Sequence, residues 1–320
     1  MRALLGCIVA LGMLAAASAA RADGYPSKPV RIVVIVAPGG AADAMARIIA
    51  DGLTSRLGQP VIVENKPGAG GNLATQFVAR APADGHTLLL TTNNHTINPS
   101  LFGNAGYAVD DFAPVAELFE GPSVIAVPAS SRFNTLKELL DEARKSPGSI
   151  AYASSGVGLT PHVAAEVLQR SAGVRLNHVA YRGSGPSVTD AVGGQIPVVV
   201  ASLLAALPFI ENGKLKALAV TSPERWPTSP AIPTVAEFGL PGYEQMIWMG
   251  LFSPKGTPAG IVRRLNTEVR SILSDEGIKA RVAKLGGMVS DKSVEAFESK
   301  IRDDHQASTR LVREANLKIE

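Results

Sequence analysis

Cysteine is almost missing from the 320-residue chain, whose single copy is Cys7. Without a second thiol there is no disulfide, so stability has to come from a buried core even in an oxidising compartment. Histidine is also scarce: His86, His95, His162, His178 and His305 stand in no H-E-x-x-H or other close ligand spacing, which gives no support for a metal centre. No G-x-S-x-G elbow is present, no Lys follows the glycines as in a phosphate loop, and the G-x-G-x-x-G dinucleotide spacing is absent. No cofactor is therefore expected. Charge of one sign is lacking as well. Discounting Arg2 and Arg21, which lie in a removable leader, leaves 29 basic against 28 acidic residues, a net charge near +1 that implies no nucleic-acid partner.

The leader is read from the first residues. Arg2 precedes an apolar run from Ala3 to Leu14, and small residues follow from Ala15 to Ala22, the order of a secretory signal peptide cleaved near Ala22. A permanent membrane anchor would need a longer apolar run of roughly 20 residues. Cys7 stands too close to the start to be a lipidated first residue. About 300 mature residues exceed one ordinary domain, so two lobes are expected.

Val30 to Val36 is a β-branched apolar run typical of a buried strand. Met45, Ile48, Ile49 and Leu53 then share a helical face, Gly58 ends that helix, and Pro60 to Glu64 reads as the next strand. The alternation continues, with strands at His86 to Thr91, Ile150 to Ala153, His178 to Ala180, Pro197 to Val200 and Leu215 to Thr221. Helices between them are expected at Asn72 to Arg80, Leu136 to Lys145, Pro161 to Ser171 and Pro186 to Val192. Such alternation predicts an α/β fold of open, mostly parallel sheets covered on both faces. Gly121-Pro122 and Leu240-Pro241-Gly242 are the best boundaries. The expected division is 1–22 signal peptide, 23–122 plus 243–320 first lobe, and 123–242 second lobe. The tail from Pro258 onward reads as helical, with Ile261, Leu265, Val269 and Leu273 on one stripe.

Two loops after strands carry the functional reading. Gly39, Gly40, Ala41, Ala42 and Asp43 open the first helix, where glycines admit a ligand to the backbone and unpaired amides favour an anion. The alternative is a tight turn capped by Asp43. Ser154, Ser155, Gly156, Val157, Gly158 and Leu159 lead into Thr160-Pro161, again a helix start at the carboxyl end of a strand, where open α/β sheets bind ligands. A polar loop with its cap would read the same way. Asn94 and His95 could line the cleft or form a surface turn, Arg182 could reach a carboxylate or stay in solvent, and His162 with Glu166 reads more as a surface pair. Nothing in the spacing of Ser155, His162 and Asp43 supports a hydrolase triad.

Taken together, these segments resemble the substrate-binding proteins of tripartite tricarboxylate transporters, the Bug family. The resemblance is carried by Tyr25-Pro26-Ser27-Lys28-Pro29-Val30-Arg31, Pro38 to Asp43, Val63-Glu64-Asn65-Lys66-Pro67-Gly68-Ala69-Gly70-Gly71-Asn72 and Ala83 to Leu88. Ile97 to Leu101, Tyr152 to Gly156, Gly213 to Thr221 and Pro233 to Glu237 extend it along nearly the whole mature chain. It implies a type II periplasmic-binding-protein fold with two hinge crossovers, a periplasmic receptor that catalyses nothing, and a ligand carboxylate held by the loops at Gly40 to Ala42 and Ser154 to Thr160. It also implies a membrane permease as partner and a monomeric receptor, and leaves open a sensor role. Amino-acid-binding members commonly carry an Asp after the strand ending at Val200. This chain has Ala201 and Ser202 there, which disfavours an ammonium group and favours a mono- or dicarboxylate, aromatic or aliphatic. The candidate ligand-binding residues are thus Gly40, Ala41, Ala42, Asp43, Asn94, Ser154, Ser155, Gly158, Thr160, His162, Ala201 and Ser202. The rival expectation is a secreted hydrolase or isomerase acting on a small carboxylate in the same cleft.

Overall fold

The computed structural model describes residues 24–284, 286–314 and 317. The expected signal peptide, 1–22, lies outside the described residues. Among those described, no helix is long and apolar enough to cross a membrane.

Strand β1 (Val30–Val34) lies between β2 (Val61–Asn65) and β3 (Thr87–Thr92), parallel to both. Helix α1 (Ala41–Leu57) makes the first crossover because Met45, Ile49 and Leu53 recur on one face, and all three are fully buried. Each buried side chain of this kind contributes roughly 1.5–3 kcal/mol relative to exposure. Gly58 ends the helix in the left-handed conformation, φ 69°, with its N–H on the Thr54 carbonyl. Helix α2 (Asn72–Ala79) leads from β2 towards β3, and α3 (Asn94–Leu101) follows β3 at once.

Strand β4 (Phe112–Pro128) is 17 residues long and belongs to two sheets. Its first part pairs antiparallel with β9 (Met246–Pro254), which also pairs with β3, and a short β10 (Met288–Val289) adds to it. Its last part pairs antiparallel with β7 (Val198–Ser202) and β8 (Leu215–Val220). Beyond β7, strands β5 (Ala151–Ser154) and β6 (Asn177–Ala180) run parallel to one another, and β5 also runs parallel to β7. Each sheet therefore keeps its parallel strands together, and the antiparallel strand β4 runs from the first into the second. Gly121 and Pro122 sit inside β4 at the point where it leaves β9 for β7 and β8. A proline is tolerated there because the ladder is changing partners.

Helices α4 (Leu136–Lys145), α5 (Thr160–Ala172), α6 (Ser184–Val192) and α7 (Leu203–Glu211) flank the second sheet. Leu139, Tyr152, Leu168 and Val198 pack on one of its faces, whereas Val188, Val199, Leu207 and Trp226 pack on the other. Around the first sheet, α8 (Ala259–Leu273) buries its stripe of Ile261, Leu265, Val269 and Leu273. Helices α9 (Glu276–Lys284) and α10 (Val294–Glu314) follow, with Phe297 and Ile301 anchoring α10 in the first core. Five elements depart from the expected pattern: α3, α7, β4, β9 and β10. The polar stretch after β3 folds as a helix because Asn94, His95, Thr96 and Asn98 are buried rather than solvated.

Candidate functional site

The carboxyl ends of β1, β5, β6 and β7 point into one crevice between the sheets, and a helix starts just beyond each. The helix caps are Gly40 for α1, Leu159 for α5, Gly183 for α6 and Ser202 for α7. None of the four has a side-chain cap hydrogen bond. The first-turn N–H groups of a helix have no partner within it, and each N-terminus carries roughly half a unit of positive charge. Convergence of four such termini makes a site for negative charge built from backbone.

The cavity between them measures about 40 Å³. Ile35, Val36, Ala41, Ala42, Thr92 and Met249 line it from the first sheet's side, Ser155, Leu159, Thr160, Pro161, Ser184 and Ser202 from the second's, and Ile247 lies at the crossover. No lining side chain is charged. That volume admits water but falls well short of the roughly 300 Å³ of an ordinary small-molecule pocket, so the crevice stands nearly closed. Close approaches show the same: the Ala37 N–H donates to the Arg182 carbonyl at 2.8 Å, and a Cβ placed on Gly40 would stand 3.8 Å from the Ser184 nitrogen.

The structure distributes the expected residues unevenly. Ala41, Ala42, Ser155, Thr160 and Ser202 come together at the cavity, and Gly40 stands beside it as the cap of α1. The Ser155 and Ser184 hydroxyls are 2.7 Å apart, and Ser184 Oγ also accepts from the Ser202 N–H at 3.3 Å. Asp43 does not line the cavity. Its carboxylate accepts from the Gly39 N–H, Arg47 and Asn65, each at 3.0 Å. Burial acts to raise its pKa, but these bonds together hold it below the usual carboxylate range, so Asp43 braces the glycine loop as an ion.

Asn94 is off the cavity too. Its Oδ1 accepts from Thr91 Oγ1, Thr92 Oγ1 and the Thr92 N–H, and its Nδ2 donates to the Gly70 carbonyl. Those bonds use up the acceptor, and the side chain staples β3 to the loop before α2. Ala201 is fully buried in the second core. Ser154 is fully buried, with its hydroxyl 2.7 Å from His178 Nε2 and accepting from the Gly156 N–H. That oxygen is covered in this conformation, with both of its partners supplied by the protein. Gly158, at φ +77°, donates its N–H to His162 Nδ1 at 3.2 Å.

His162 is a buried residue and not half of a surface pair. It stacks on His178 with centroids 4.2 Å apart, and its Nε2 is 3.8 Å from Glu166. Burial lowers the pKa of both imidazoles to about 4, so they are neutral at pH 7 and His162 can accept from the loop. Ser184 and Thr92 are the cavity hydroxyls the sequence reading passed over. The Gly183-Ser184-Gly185-Pro186 turn is the sequence signal for the first, beside the more conspicuous Arg182, whose side chain is exposed. Among the described residues no group of three or more His, Cys, Asp or Glu is placed to hold a metal.

The fold and its interlobe crevice define a two-lobed solute-binding protein. The sequence profile of the tripartite tricarboxylate transporter family receptor matches residues 45–317. The chain belongs to that receptor family, which includes the Bug proteins. BugT of Bordetella pertussis strain Tohama I is 33% identical over 320 residues, covering 99% of this chain and 98% of its own. The solved periplasmic binding protein BugD is 34% identical with a TM-score of 0.88, covering 92% of this chain and 100% of its own. MatC from Rhodopseudomonas palustris, solved with bound malate, is 32% identical with a TM-score of 0.86, covering 90% and 100%. An R. palustris protein solved with adipate is 32% identical with a TM-score of 0.87, covering 91% and 98%. BugD is a periplasmic binding protein, and the family's members are periplasmic receptors.

Proposed function

We propose that the protein captures a small mono- or dicarboxylic acid between its lobes and presents it, chemically unchanged, to a membrane permease of the tripartite tricarboxylate type. The observation that carries this reading is the meeting of four uncapped helix N-termini at a cavity without a charged side chain. A carboxylate there is met by N–H donors and hydroxyls. An ammonium group would find no counter-ion, since Ala201 and Ser202 hold the position where a carboxylate would serve it. The ligand shell consists of Gly40, Ala41, Ala42, Ser155, Thr160, Ser184 and Ser202, with Asp43, Asn94, Ser154, Gly158 and His162 fixing the loops behind it. Residues 23–122 with 243–320 form one moving body and 123–242 the other, hinged where β4 and β9 cross. Closure is favoured because the anion touches both bodies only in the closed state. The protein acts as a monomer in the periplasm after loss of its first 22 residues. The malate and adipate held by two relatives support the ligand class.

Native mass spectrometry of gently purified protein, followed by a thermal-shift panel of carboxylic and amino acids, tests the reading. Retention of an intact acid and stabilisation by acids alone are expected. Stabilisation by amino acids only, or turnover of a bound acid, would overturn it.

A further inference from the structure

We propose that Ser202 is a specificity-determining residue whose hydroxyl selects carboxylates bearing a hydroxyl group on the carbon next to the anchored carboxylate. This rests on the carboxylate reading above and adds the chemistry of the ligand's neighbouring atom.

Five hydroxyl-bearing residues line the cavity: Thr92, Ser155, Thr160, Ser184 and Ser202. Four of them have partners in the protein: Ser155 and Ser184 bond each other, Thr92 donates to Asn94, and Thr160 donates to Asn93. The Ser202 side chain is only 3% exposed, and its Oγ has no hydrogen-bond partner. A buried hydroxyl without a partner is costly, and native folds rarely keep one that nothing will meet. Ser202 also caps α7, so the hydroxyl stands beside a helix N-terminus that has no side-chain cap hydrogen bond.

Its position sets it beside the anchored carboxylate. The Ser202 N–H bonds Ser184 Oγ, and the Ser184 nitrogen lies at the α6 terminus facing Gly40 across the crevice. Ser202 is therefore the immediate neighbour of the anion cradle rather than a distant wall. A serine hydroxyl both donates and accepts while carrying no charge. That matches another hydroxyl, gives nothing to a methylene, and cannot neutralise an ammonium. A ligand hydroxyl left unpaired in a closed site costs more than a missing apolar contact, so one such group discriminates strongly. Ser123, which faces Ser202 in register on β4, also has an unpartnered buried hydroxyl, but it does not line the cavity.

Calorimetric titration of the mature protein with matched pairs of acids tests the proposal. The pairs are 2-hydroxypropanoate and propanoate, 2-hydroxybutanedioate and butanedioate, and 2-hydroxy-3-phenylpropanoate and 3-phenylpropanoate. In the pair whose skeleton fits, the hydroxy acid is expected to bind about tenfold more tightly or better. Ser202→Ala should bring that ratio to within about twofold by weakening the hydroxy acid far more than the deoxy acid, and a wild-type thermal midpoint of the unliganded variant shows that the site still folds. Ser123→Ala should keep the wild-type ratio. Equal binding within every pair, an unaltered ratio in Ser202→Ala, or loss of the ratio in Ser123→Ala instead would overturn the assignment and leave the carboxylate reading standing. Failure of every acid to bind would remove both.

Discussion

Asn93 and Thr160 come from opposite sides of the crevice, and Thr160 Oγ1 donates to Asn93 Oδ1 at 3.4 Å. The same oxygen accepts from the Trp248 N–H at 2.9 Å, so where β3 ends the Asn93 side chain continues its ladder to β9. One amide thus ties the crossover strand to the loop that opens α5. Asn93→Ala should cost about 1–3 kcal/mol of stability in urea, because it strands a backbone donor of β9. Thr160→Val removes only the longer cross-lobe bond and should stay within about 0.5 kcal/mol of wild type. Equal effects from the two substitutions would show that the Trp248 bond does not matter.

Gly185 sets how closely the lobes approach. A Cβ added there would lie 2.8 Å from the Gly39 backbone on the other side of the crevice, a clash that only separation of the lobes relieves. Alanine suits the helix itself, which begins at Ser184, so Gly185→Ala should leave the thermal midpoint within a few degrees of wild type. Its affinity for the acid identified by thermal shift should fall about tenfold or more, and small-angle scattering should show a radius that no longer contracts when that acid is added. Wild-type affinity in this variant would mean that full closure is not part of capture.

Much of this arrangement was legible from local pattern. The run at Val30, the helical face of Met45, Ile49 and Leu53, and the glycine turns before α1 and α5 each declare themselves within a dozen residues. What stayed hidden depends on distant partners. Strand β4 pairs with β9 more than 120 residues later, and no periodicity within either segment reveals that pairing. Asn94 and His162 belong to residue types that serve ligands and loop scaffolds equally well. Their partners, the Gly70 carbonyl and the Gly158 N–H, decide between the two only after folding. Ser184 was masked by the arginine two positions before it, which drew attention to a side chain when the backbone and the small hydroxyl were what faced the crevice.

Glu117 holds the carboxyl-terminal helix in place. Its side chain is fully buried, and its two oxygens meet Lys300 at 2.5 Å, Lys292 at 2.8 Å and Ser290 at 3.0 Å. Removing the buried carboxylate leaves Lys300 and Lys292 with Glu120 alone, at 3.0 and 3.8 Å, so Glu117→Ala should lose about 1.5–3 kcal/mol in urea unfolding at pH 7. Restoring the charge balance with Glu117→Ala and Lys300→Met together should recover part of that loss, whereas strict additivity would argue that the ions act independently.

The stacked histidines make stability depend on pH in a definite direction. In the unfolded chain His162 and His178 take up protons near 6.5, whereas burial delays uptake to about 4 in the folded protein. His162 adds a second unfavourable effect on protonated His178, and Glu166 opposes it weakly. Between those values the unfolded state binds more protons, so stability rises with pH across the window and is fully present above about 6.5. Lowering the pH from 7 to 4.5 should remove about 2–4 kcal/mol, an order-of-magnitude figure for two coupled groups. His162→Gln keeps an acceptor available to the Gly158 N–H but cannot titrate, so its stability should fall less over the same interval. Protonation also turns His162 Nδ1 into a donor facing the Gly158 N–H, which disturbs the α5 loop. Acid affinity should therefore decline below about pH 5 in the wild type more steeply than in His162→Gln, and parallel pH profiles for the two proteins would remove His162 from control of that loop.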